Sequence, residues 1–223
     1  MKKGHFALFF LLITGICFLN IYIEQQIYLR TREEKERMEE SLLYATQAAA
    51  YDLMGVMEEE DDVKLTIFQE SFFRAWFVKL GIAGIKEEQD KMKMHLPLMA
   101  YLTEDGGYFF YTEKKVQDGY MVLNSKWSEK VSYTLIGSEE KKREILMVYL
   151  KKHVSRIISD HNYIAEQFGI QYEFSAPYFL IEEEKKLNFP MIFVVFQGWP
   201  LLAGSSYYYE NCIDAGAYIK KLD

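Results

Sequence analysis

Three histidines, two cysteines and a few carboxylate runs are the residues with which this sequence could do chemistry. His95, His153 and His161 stand clear of the N-terminal apolar run, whereas His5 borders it. His153 and His161 fall eight apart on a predicted helix, roughly 12 Å along its axis, which is too far for one zinc ion. Asp160 precedes His161 but points to another helix face, so these histidines read as solvated. Cys17 lies within the apolar run and Cys212 near the other end of the chain, so no disulfide framework is expected. Cys212 reads as a buried, unpaired thiol.

The carboxylates come as runs, Glu58 to Asp62 and Glu182 to Glu184. They lack the glycine and alternating spacing of a calcium loop and read as solvated surface. No HExxH, CxxC, GxSxG, Walker or GxGxxG pattern occurs, and no Gly-Lys-Ser/Thr follows Gly81-Ile82-Ala83-Gly84. Ser138 and Lys141 read as the start of a helix, not as a nucleophile and its base. The sequence therefore predicts a protein that is not an enzyme and that needs no cofactor or metal.

Half of the residues are hydrophobic and 16% aromatic, which marks a chain that folds. From Glu24 onward 33 acidic residues face 24 basic ones, a surface that repels phosphate backbones, so no nucleic acid is expected as a partner.

The elements that position these groups begin with HFALFFLLITGICFLNIYI. Phe6 to Ile23 carry no charge and, at 1.5 Å per residue, span about 27 Å as a helix, which matches a bilayer core. Phe6, Phe9, Leu12, Phe18 and Ile23 are its expected anchor residues. No small pair follows the run and Ile16 precedes Cys17, so cleavage and lipidation are not expected. Lys2 and Lys3 before the run have the layout of an export signal, whereas Arg30, Arg32, Lys35 and Arg37 lie beyond it among acids. The head is expected outside the cytoplasm.

The helix is expected to continue without a break to Met57, because no proline or glycine intervenes before Gly55. Met38, Leu42, Ala45, Ala49, Leu53 and Val56 form one apolar stripe at helical spacing. That stripe either lies on the chain's own head or packs against another protomer. The expected organisation is residues 1–23 as tail and transmembrane helix, 24–62 as a helical stalk, and 63–223 as an α+β globular head.

A second helix is read over Val63 to Leu80, capped by Asp61 or Asp62 and ended by Gly81. LPLMAYLT and YFFYT make a hairpin in which Gly106 and Gly107 supply the positive φ of a tight turn. Strands follow at 119–125 and 130–136. Another helix runs from Ser138 to Phe168, with Ile145, Val148, Tyr149, Lys152, Ile157, Ile158, Ile164 and Phe168 on its apolar side. IQYEFSAP and MIFVVFQGWP are read as strands. Helix and strand blocks are segregated, which predicts an antiparallel sheet with packed helices. Near the end, Trp199, Tyr207, Tyr208 and Tyr209 stand among glycines and serines, either as an aromatic interface or as an edge strand packing inward.

REEKERMEESLLYATQAAAYDL after the span, MAYLTEDGGYFFYT, and FVVFQGWPLLAGSSYYYENCIDAGAYI together resemble the pilin-like, single-pass proteins encoded with tight-adherence (Flp-type) pilus machinery in Gram-positive bacteria. The resemblance covers most of the chain. Phe9 stands where pilins carry glutamate at the fifth position of the mature helix, and the small-residue cleavage site is absent. The resemblance implies a minor pilin or assembly component whose partners are the membrane and other membrane or pilin-like proteins, met through the N-terminal helix and stalk. The rival reading is a membrane-anchored module that binds a ligand or senses one.

Overall fold

A computed structural model describes residues 2–117, 120–176, 189–202, 207–210 and 212–218. The chain begins with α1 (Lys2–Met54), then α2 (Asp61–Leu80) and α3 (Lys86–Met94). A strand block follows, with β1 (Leu98–Leu102), β2 (Gly106–Gln117), β3 (Tyr120–Trp127) and β4 (Val131–Ser132). After α4 (Glu139–Gln167) come β5 (Met191–Val195), β6 (Trp199–Pro200), β7 (Tyr208–Tyr209) and β8 (Cys212–Tyr218).

The main sheet has the order β3-β2-β1-β5-β8 with β4 beside β2, antiparallel throughout, and β6 and β7 form a separate ribbon. The fold is α+β, as the segregation of helix and strand blocks predicts. Every residue of β1 and β5 is buried because helices cover both faces of the sheet. Met99, Tyr101, Ile192 and Val194 pack under α1 and α2, while Leu98, Ala100, Leu102, Phe193 and Val195 pack under α4.

At 53 residues, α1 is about 80 Å long. Its upper part belongs to the head: Met38, Leu42, Ala45, Ala49 and Leu53 are buried in the core formed with α2 and the sheet. Small residues at Ala45 and Ala49 let α2 and the sheet come close, and the stripe is covered by this chain's own head. Buried Ser41 and Thr46 donate their hydroxyls back to the Met38 and Leu42 carbonyls, so neither is left unpaired. Asp52 accepts hydrogen bonds from Ser71 and Arg74 and fixes α1 to α2. The helix ends at Met54 rather than Met57, where Gly55 begins a turn.

Gly81 closes α2 in the left-handed conformation, with the Ile82 and Gly81 amides bonded to the Phe77 and Val78 carbonyls. Glu60, not Asp61 or Asp62, holds the position before α2, and its side chain makes no capping bond. Ser138 caps α4 by accepting the Lys141 amide at 3.4 Å.

Several expectations need correction. Gly106 and Gly107 lie in β2, and neither has a positive φ. They are needed for close approach, since a Cβ on Gly107 would come within 2.7 Å of Leu102 and one on Gly106 within 2.8 Å of Lys130. The stretch 170–176 of IQYEFSAP is not a strand; it is a loop held onto α4. The strand expected over 130–136 shrinks to Val131–Ser132. Helix α3 arises where no element was expected. The apolar side assigned to α4 is also rotated: Val148 and Phe168 are exposed, and the buried stripe is Leu146, Leu150, Val154, Ile158, His161, Ile164 and Ala165.

Candidate functional site

The lower part of α1 leaves the head entirely. Its most apolar 18-residue window has a mean hydropathy of 2.4, and none of it is covered by the rest of the chain. Phe6, Phe9, Leu12, Phe18 and Ile23 are all exposed, at 77%, 62%, 58%, 68% and 46%. Such a face is stable only against lipid or other apolar helices. Thr14, a polar side chain in this stretch, donates its hydroxyl to the Phe10 carbonyl at 2.8 Å. That removes the cost of an unpaired group in hydrocarbon.

Between the apolar stretch and the head lies a charged section of the same helix. Arg32 with Glu36, Lys35 with Glu39, and Glu34 with Arg37 pair at one-turn spacing. Each pair adds about 0.2–0.5 kcal/mol of helix stability, so this solvated section is held helical by its own side chains. The head reaches over it at Tyr207, which closes an open groove of about 560 Å³ lined by Glu24, Ile27, Tyr28, Thr31, Arg32, Lys35, Glu36 and Glu39.

The four aromatic residues expected at an interface separate. Tyr207 is 54% exposed, Tyr208 is half-buried against Tyr172, and Trp199 is partly buried beside His95. Tyr209 is buried and packs on Phe196, because the β6–β7 ribbon turns it into the α1–α2 core. Of the four, only Tyr207 remains an exposed surface group. The side chain of Cys212 lies outside the described residues, as does the run Glu182 to Glu184.

The helical histidines read as solvated need correction, because His161 is buried and His153 half-buried; His95 is buried as well. His161 is 1% exposed on the inner face of α4, and its Nε2–H donates to the Met94 carbonyl at 2.9 Å. His95, at the end of α3, sits edge-on to Trp199 and near Phe174 and Phe196. Burial pushes the pKa of each down to about 4; for His95 the charge of His161 adds to this, and backbone groups of Gln197 and Gly198 oppose it. Both are therefore neutral at pH 7. Asn162 clamps the neighbouring loop by donating to the Phe174 carbonyl and accepting the Phe174 amide, and Gln197 accepts the Ser175 amide. His153 is half-buried against Tyr149 and Phe109, its pKa lowered by burial and then by Lys152 and Arg156.

A second polar cluster joins α2 to the sheet. Tyr108 donates to Asp61, which also pairs with Lys64 at 3.2 Å. The Tyr108 hydrogen bond holds the Asp61 carboxyl below its ordinary pKa, with burial opposing. Burial, followed by Asp61, pushes Tyr101 up to about 12. These contacts tie α2 to the sheet. Among the described residues no group of three His, Cys, Asp or Glu side chains is placed to hold a metal ion.

The periodicity could have revealed His161, since it falls on the Leu146, Leu150, Val154, Ile158 stripe. His95 carried no such signal, because what buries it is the approach of Trp199 and Phe196 from far along the chain. No family model, characterised protein or solved structure matches the chain.

Proposed function

We propose that this protein is a membrane-anchored, non-enzymatic structural or assembly component, in the manner of a minor pilin, of a surface pilus or secretion apparatus. Its head stands on the extracytoplasmic side. The observation that carries this reading is the continuity of α1. One helix holds an uncovered apolar stretch at its lower end and the spine of the head core at its upper end. An enzyme or receptor tethered to a membrane needs only a flexible leash. A helix shared by anchor and core instead transmits position rigidly from neighbouring apolar helices to the head.

The test uses single cysteines at Phe9, Leu12 and Phe18 in a background with Cys17→Ala and Cys212→Ser, in native membranes. Oxidation or a short bifunctional thiol reagent should trap the chain to other copies or to other membrane proteins. Trapping should recur at one helix face. Equal lipid accessibility at all three positions with no trapped product contradicts the reading.

The rival reading, an anchored ligand-binding or sensory module, draws on the groove under Tyr207. It predicts that Tyr207→Ala and Thr31→Trp leave assembly intact while abolishing a response to a small molecule.

A further inference from the structure

The outward face of α4 carries Lys151, Lys152 and Arg156, all exposed and none with an ionic partner among the described residues. Val148, one turn earlier, is 66% exposed. Among the described residues, Lys64, Arg74, Lys91, Lys93, Lys126, Lys130 and Lys142 of the acidic head are by contrast already paired. The opposite layer bears a complementary surface. In the turn from α1 into α2, Glu59, Glu60 and Asp62 are exposed and make no ion pair among the described residues.

The two surfaces stand at nearly the same height above the anchor. Tyr108 reaches Asp61 at the start of α2, and the next residue, Phe109, stacks on His153 between Lys152 and Arg156 in sequence. Both lie more than about 45 Å above Ile23, since the rise from Ile23 to the end of α1 at Met54 is alone about 46 Å at 1.5 Å per residue, which places them beyond lipid headgroups. The basic surface is on the α4 layer and the acidic one on the α1–α2 layer, so copies standing side by side in one bilayer can bring them together without tilting.

We infer that the α4 face around Lys151, Lys152 and Arg156 binds the Glu59, Glu60 and Asp62 turn of a second copy of this chain, and that the contact repeats laterally into a row. Because donor and acceptor surfaces lie on opposite layers, the contact is heterologous and does not close into a two-fold dimer. The inference rests on the structural reading above, since it names the surface through which heads in such an assembly meet. Exposed ion pairs of this kind are screened by salt and set register and partner choice more than raw affinity.

The test uses the full chain, without its native cysteines, reconstituted in liposomes. Copies carrying Glu60→Cys are mixed with copies carrying Ser155→Cys and treated with a short bifunctional thiol reagent. A product joining the two is expected at low salt and should fall about tenfold at high salt, as for charge pairs lying within a Debye length. Adding K151E, K152E and R156E to the Ser155→Cys copies should abolish it. Changing the Glu60→Cys copies to E59K and D62K as well should then restore it, while circular dichroism shows all variants folded.

Cross-linking unchanged by the charge reversal, or not restored by the complementary one, overturns the inference. The anchor cross-links at Phe9, Leu12 and Phe18, measured on the same membranes, separate the two failures. If they persist, only this head contact is wrong; if they are absent, the structural reading falls with it.

Discussion

The Nε2–H of His161 donates to the carbonyl oxygen of Met94 across 2.9 Å, joining residues 67 apart in sequence. The bond ties the C-terminal part of α4 to the segment from which the chain turns into β1. Protonating the ring would keep this bond but would bury a charge and an Nδ1–H that finds no partner, and burial therefore holds the ring neutral. The two faces of the head therefore depend on a buried histidine that must not titrate.

Stability should fall on mild acidification. His95 and His161 have folded pKa values of about 4 against an ordinary 6.5. Above pH 6.5 both are neutral folded and unfolded, and no penalty exists. As pH falls from 6.5 to 4 the unfolded chain takes up protons that the folded chain refuses, so stability drops by up to roughly 3 kcal/mol per histidine and then levels off. Asp61 and Asp105, whose folded pKa values are lowered, lose their contributions only below about 4. Urea unfolding of the full chain in detergent at stepped pH reads this, and His161→Phe should remove about half of the loss between pH 6.5 and 4, leaving the share of His95. A slope unaffected by that substitution would show that other groups titrate there.

Enlarging the small residues of α1 should damage the head itself. Ala45 and Ala49 are fully buried under α2 and the sheet, so Ala49→Leu should cost about 1–3 kcal/mol through overpacking. Thermal unfolding followed by tryptophan fluorescence measures it. An unchanged midpoint would mean that this face is open.

Trp76→Ala should be among the most destabilising single changes. Trp76 is completely buried, edge-on to Phe196 at 5.2 Å and stacked near Phe77. The expected loss is about 3–5 kcal/mol, detectable as proteolysis of the head in membranes where the intact chain resists.

Asn162→Ala should release the 170–176 loop. It removes both bonds to Phe174 and leaves a buried amide and carbonyl without partners, a loss of about 1–3 kcal/mol each at most. Hydrogen exchange should rise at Phe174 and Ser175 first, with the sheet amides still protected; uniform exchange across the head would contradict a local clamp.

Much of the architecture was legible because it rests on local rules. The apolar run from Phe6 to Ile23, the Met38 to Leu53 stripe, the Gly81 terminus and the Ser138 cap each follow from neighbours within a few residues. What escaped depends on distant partners. The loop at 170–176 alternates like a strand, yet Asn162 and Gln197 take its amides. Tyr209 looked like its neighbours Tyr207 and Tyr208 until the β6–β7 ribbon turned it inward. Gly106 and Gly107 imitate a turn, although the need for glycine there comes from Leu102 and Lys130 pressing on the strand.

The central claim is that one rigid helix carries the head on its anchor. Pulsed electron resonance between spin labels at Gln25→Cys and Gln47→Cys, in the full chain lacking its native cysteines and held in nanodiscs, tests it most directly. The 22 intervening steps predict a single narrow distance near ~33 Å at 1.5 Å per residue, plus the reach of the labels. A broad distribution, or a centre well below that length, would show a hinge between membrane and head and contradict the account.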